Sequence, residues 1–209
     1  MFFTFGLMMI GNGILSHLLL NKYSEYYKNW KCKEKHEMIG RINCCLYQLY
    51  ILYQCYSSNS PEEYSLASEK FAYFMILDMF HYLFYVSDYS SYLHHILSLL
   101  SIFYINSNFA PEGTLYIFNH LLILFESTNP MMSISWMGNK FGYKNHILFK
   151  FLGSCSFFLW TYIRIFYLSN YIIYYSNSLI NQIIMSFFLV LNLYWFKSLI
   201  SVFYKIIKI

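Results

Sequence analysis

The stretch L-I-N-Q-I-I-M-S-F-F-L-V-L-N-L-Y-W-F-K-S-L-I-S-V-F-Y, Leu179 to Tyr204, decides how this chain must be read. It carries a single charge, Lys197, over a length that matches the ~20 apolar residues needed to cross a bilayer. Its apolar residues run on without the polar alternation of a barrel strand, so a helix is the structure that satisfies its backbone in lipid. The rest of the chain agrees. Of 209 residues, 58% are hydrophobic and 11% charged, with 23 Tyr and 21 Phe. Soluble domains carry about 25% charged residues, and a chain this poor in charge cannot cover a water-facing surface.

The same reading excludes other classes. The net charge of +4 comes with no basic tract interleaved for nucleic acid, so no nucleic-acid partner is expected. The five cysteines (Cys32, Cys44, Cys45, Cys55, Cys155) form no C-x-x-C pair, which argues against a disulfide framework and against zinc. Phe, Tyr, Ile, Asn and Lys abound while alanine occurs three times, a bias toward AT-rich codons such as those of a protist, a parasite or a large DNA virus.

Seven spans are expected: 2–20, 39–57, 71–87, 92–107, 113–126, 147–168 and 179–204, the fifth extending past Glu126 toward Pro130. The first has no basic n-region, so it reads as a retained helix and not as a signal peptide. Tyr171–Tyr175 reads as an interfacial continuation of the sixth. With this count, nine loop and tail lysines (Lys22, Lys28, Lys31, Lys33, Lys35, Lys140, Lys144, Lys205, Lys208) fall on one side and Lys70 alone on the other. That asymmetry predicts an external or lumenal N-terminus and a cytosolic C-terminus. The segment 22–37 is the one sizeable polar loop and mixes lysine with glutamate.

Ionisable residues inside spans face a bundle interior or a cavity. Here they include His17, Asp78, His81, His94, His95, His120, Glu126 and Arg164, joined by the amides Gln48, Asn119 and Asn192. Asp78 and His81, three apart, share a helix face. A tight turn over D-Y-S-S then brings His94 and His95 near their depth. This cluster reads as interhelical hydrogen bonding, as a catalytic histidine oriented by Asp78, or as a lipid pocket. Adjacent histidines project ~100° apart on a helix, so a shared metal is not expected, nor is any cofactor. Glu126 is the expected partner of Arg164.

Several motifs in order carry a resemblance. They are Asp78 in F-M-I-L-D-M-F; D-Y-S-S-Y-L-H-H-I-L-S with His94 and His95; F-E-S-T-N-P-M-M-S-I-S-W from Phe125 to Trp136; Y-I-R-I-F-Y around Arg164; and L-N-L-Y-W-F-K from Leu191 to Lys197. Over about residues 39–205 the chain resembles the TLC-domain family, and its smaller members more than the ceramide synthases. The resemblance implies an all-α membrane protein in which spans two to seven form a ring around a central cavity, with span one outside. It divides the chain into a first helix and cytosolic loop (1–38), a TLC-like domain (39–205) and a short tail (206–209). It also implies an endoplasmic-reticulum or other endomembrane location, in the host if the source is viral, and membrane lipids as partners.

The resemblance places Asp78, His81, His94, His95, His120, Glu126 and Arg164 around a lipid, with His94, His95 and Asp78 catalytic if the protein is an acyltransferase. The chain departs from the synthases at Leu121, Leu122 and Leu124, which follow His120 where the synthases carry aspartates, and has Ser135 where the smaller members carry arginine. The expected function is to bind, sense or help set membrane lipid composition, with acyl transfer and a cargo-receptor role as alternatives.

Overall fold

The computed structural model describes residues 2–85, 89–107, 113–143, 145–174 and 178–207, with backbone alone at 2–5, 81–85 and 205–207. Every regular element in them is helical: α1 (Phe2–Tyr23), the short α2 (Glu25–Lys28), α3 (Cys32–Ser57), α4 (Pro61–Tyr85), α5 (Tyr89–Ile105), α6 (Thr114–Lys140), α7 (Ile147–Thr161), a π-helical turn (Tyr162–Tyr167), α8 (Leu168–Tyr174) and α9 (Leu179–Ile207). Among the described residues two rods are long and apolar enough to cross a membrane, Ile147–Tyr174 and Leu179–Tyr204. α5, at 17 residues, is short for that. α3, α4 and α6 carry polar residues that dilute their apolar character, and many of these turn inward: Asn43, Gln48, Asp78, Asn119 and Glu126 are all buried. Large apolar side chains occupy the outside instead, among them Leu18, Tyr53, Phe103, Phe151 and Val190. Water-soluble folds distribute these groups the other way.

Local chemistry sets the helix ends. Ser24 Oγ accepts the Tyr27 N–H at 3.2 Å and caps α2, and the Lys31 N–H donates to the Glu34 carboxylate at 3.1 Å at the head of α3. Pro61 opens α4, where a missing N–H costs nothing. Gly113 and Gly142 flank α6 at φ +81° and +87°, the left-handed region that glycine enters without strain.

Several expectations shift. The segment 22–37 is largely helical, and α3 runs unbroken through the expected boundary at 38/39. Glu34 stabilises that early start as an acid in the first turn. α5 begins at Tyr89, so Ser90 and Ser91 are helical and not part of a turn; residues 86–88 lie outside the description. α6 passes through Pro130 to Lys140, well beyond Glu126. Tyr171 is buried and accepts a hydrogen bond from Asn181 Nδ2 at 3.0 Å, which ties α8 to α9.

The packing order is α3 on α4, α4 on α5, α5 on α9, α9 on α7, α7 on α6 and α6 on α3, with α1 against α3 and α4. Gly13 allows the α1–α3 approach: a Cβ there would lie 3.3 Å from Ile39 Cγ2. Asn43 Nδ2 donates to the Met9 carbonyl across the same contact at 3.1 Å. Two apolar clusters fill the half of the bundle where α3 and α5 end. One gathers Tyr47, Ile51, Phe71, Phe74, Ile102 and Leu122; the other gathers Leu97, Leu121, Leu168, Tyr171, Phe188 and Leu191. The other half is polar inside, and the candidate site lies there.

Candidate functional site

A cavity of about 260 Å³ opens inside the bundle. Its walls come from α3 (Arg41, Cys44, Gln48), α4 (Asp78), α5 (Ser91, His94, His95), α6 (Glu126, Asn129, Ser133), Trp160 and Arg164, and Trp195 of α9. The polar side chains meet in two sets.

The first set spans α4 and α5. His95 Nε2 lies 2.9 Å from Asp78 Oδ2, and both residues are buried. A carboxylate that accepts Nε2–H fixes the ring and leaves the basic lone pair at Nδ1. His94, one position earlier, turns toward α9, where its ring meets Trp195 at 5.4 Å and Phe188 edge-on at 5.5 Å between centroids. Trp195 is itself held by Ser90, whose Oγ accepts the indole N–H at 2.7 Å. The two histidines therefore have separate surroundings, as their ~100° angular offset requires.

The second set joins α3, α6 and the π-helical turn. Gln48 Nε2 and Asn129 Nδ2 both donate to Glu126 Oε2, at 3.0 and 2.7 Å. Arg164 Nη2 lies 3.6 Å from Glu126 Oε1, donates to the Phe125 carbonyl at 2.8 Å and reaches Asn129 Oδ1 at 3.4 Å. Backbone irregularity makes this possible on both sides. Pro130 lacks an N–H and so leaves the Glu126 carbonyl without its ladder donor, and Arg164 donates to the Phe125 carbonyl one residue earlier. Opposite, Arg164 sits within Tyr162–Tyr167, where the wider helical turn buries Ile163 and Arg164 while Tyr162 and Phe166 stay exposed. Single π turns of this kind recur at functional sites.

Of the expected site residues, Asp78, His94, His95, Glu126 and Arg164 line one cavity. His120 does not: it is exposed, and its neighbour Asn119 takes the inward position and donates to the Cys55 carbonyl at 3.0 Å. The His81 side chain lies outside the described residues. Arg41, Asn129, Trp160 and Cys44 were not anticipated as site residues. The five cysteines are free thiols, and among the described residues no three His, Cys, Asp or Glu side chains converge as a metal set.

No protein-family model, curated protein or solved structure matches the chain.

Proposed function

We propose that the chain is a multi-pass helical membrane protein that binds a membrane lipid in its central polar cavity and thereby senses or helps set lipid composition. One observation carries the reading: hydrogen-bonded charges, Asp78–His95 and Gln48–Glu126–Arg164, are grouped around a cavity within a bundle whose outer surface is apolar. Buried ionisable groups are costly in a membrane and are kept for a ligand or a transported group.

The circular packing order from α3 through α4, α5, α9, α7 and α6 back to α3, with α1 contributing nothing to the cavity wall, supports a six-helix ring of the TLC type and seven spans in all. The lysine asymmetry supports a lumenal or external N-terminus and a cytosolic C-terminus in an endomembrane. Native mass spectrometry of the purified full chain tests the lipid reading. Wild type should retain co-purified lipid that Asp78→Asn and His95→Ala lose while staying folded. Equal retention by all three would sink it. A C-terminal reporter found on the lumenal side would overturn the orientation.

A second reading is favoured by the Asp78–His95 geometry: a lipid acyltransferase with a histidine as general base. It predicts an acyl lipid in expressing cells that disappears with His95→Ala. An unchanged lipid profile rejects it.

A further inference from the structure

A second cavity of about 270 Å³ adjoins the first, toward the end of the bundle where α3 begins and α6 and α9 finish. The two share Arg41, Met132 and Trp160 as common wall. Their linings differ in kind. The inner one carries Asp78, His95, Glu126 and Arg164; the outer one is built largely from Trp136, Phe157, Leu199, Val202 and Phe203. Val202 is half exposed, so the outer cavity reaches the apolar flank of the bundle.

Arg41 stands at the junction, and its guanidinium lies over the Trp136 ring at 5.1 Å. The nearby cations are matched: Arg164 has Glu126, and Lys140, over the same Trp136 ring at 5.4 Å, has Glu34 at 3.6 Å. Among the described residues Arg41 forms no ion pair. A partly buried arginine without a carboxylate, lying over an aromatic ring and bordering two cavities, offers its donors to an incoming anion.

Resting on the lipid-cavity reading above, we propose that Arg41 anchors the anionic headgroup of a single-chain amphiphile, a carboxylate or phosphate carried on one alkyl chain. The chain lies along the outer cavity against Phe157, Leu199, Val202 and Phe203, and the head meets Arg41 at the entrance to the polar chamber. The outer cavity, at about 270 Å³, opens on the apolar flank at Val202, so an alkyl chain can enter it from the side of the bundle. The lining supplies apolar walls for a tail and one unmatched positive charge for a head. A neutral lipid leaves that charge unused, and a free anion leaves the apolar walls unused.

The test uses the purified full chain in neutral-lipid nanodiscs and three probes: oleate, oleoyl lysophosphatidate and uncharged monooleoylglycerol. Arg41→Gln is expected to weaken both anionic probes by about tenfold or more, the equivalent of ~1.4 kcal/mol, and to leave monooleoylglycerol within about twofold. Arg41→Lys recovers part of the loss. Val202→Trp, which fills the outer cavity and leaves Arg41 in place, weakens all three probes. Anionic probes that bind folded Arg41→Gln as tightly as wild type overturn the anchor while leaving the lipid cavity standing. Displacement of the probes by inorganic phosphate, with no effect of Val202→Trp, overturns the amphiphile in favour of a free anion. Failure of every probe to bind wild type overturns both this proposal and the reading it rests on.

Discussion

Removing the Glu126 carboxylate while keeping Arg164 is the sharpest perturbation of the interior. The two groups are 3.6 Å apart and almost fully buried. At an effective dielectric of about 20, unit charges at 3.6 Å attract by about 5 kcal/mol. Glu126→Leu forfeits that and leaves a buried guanidinium with the Phe125 carbonyl, Asn129 Oδ1 and the Phe125 and Trp160 rings but no carboxylate. It also leaves the Gln48 and Asn129 amides without their acceptor. Breaking one partner of such a pair costs about 3–5 kcal/mol, whereas replacing both by apolar groups is often neutral. Glu126→Leu should therefore lower stability by about 3–5 kcal/mol, and Glu126→Leu with Arg164→Met by far less. Equilibrium unfolding of the full chain in mixed micelles, read as a double-mutant cycle, measures the difference. Additive losses, with the double variant as unstable as the sum of the two singles, would refute the pairing.

Three further outcomes follow from the packing. Gly138→Leu should cost about 1–3 kcal/mol, because a Cβ there would lie 2.1 Å from Phe149 Cδ1 and the α6–α7 contact would have to open; a thermal midpoint equal to wild type would show that the contact is not tight. Trp195→Phe should lose about 1 kcal/mol with the indole N–H bond to Ser90, and adding Ser90→Ala should lose little more; independent losses would mean that the bond does not tie α5 to α9. In sealed vesicles with the cytosolic face outward, an impermeant maleimide should label exposed Cys32 and spare buried Cys55, and protection of Cys32 would reverse the orientation.

Much of this was legible in the sequence because each signal had one physical source. A long apolar run permits a helix and little else in lipid, so Leu179–Tyr204 was readable directly. Asp78, His95, Glu126 and Arg164 stood out because charge inside an apolar span needs a partner, and two such pairs were available. His120 went the other way for an instructive reason. α6 is apolar on several faces, so no periodic stripe fixes its inward side, and one position separates His120 from Asn119. Arg41 was hidden by its surroundings. It sits two residues inside the expected span 39–57, beside a lysine- and glutamate-rich stretch, and nothing in that pattern separates an arginine at the span edge from one turned toward a cavity. Asn129 was overshadowed by Pro130 beside it, although the two together shape the turn that receives Arg164.

The π-helical turn at Tyr162–Tyr167 has a consequence for how the chain tolerates change. A turn of this kind holds one more residue than an α-helical turn, so it sets the angular phase of everything beyond it. Forcing all of its residues into plain α-helix, with none deleted, would rotate α8 by about 100° against α7. Arg164 and Tyr171 would then no longer face inward together, and the ties to Glu126 and to Asn181 could not both survive. The width of this short segment thus sets the phase of the rod: losing one residue along with the wide turn leaves the two halves in step, whereas keeping the length and losing the wide turn puts them out of step.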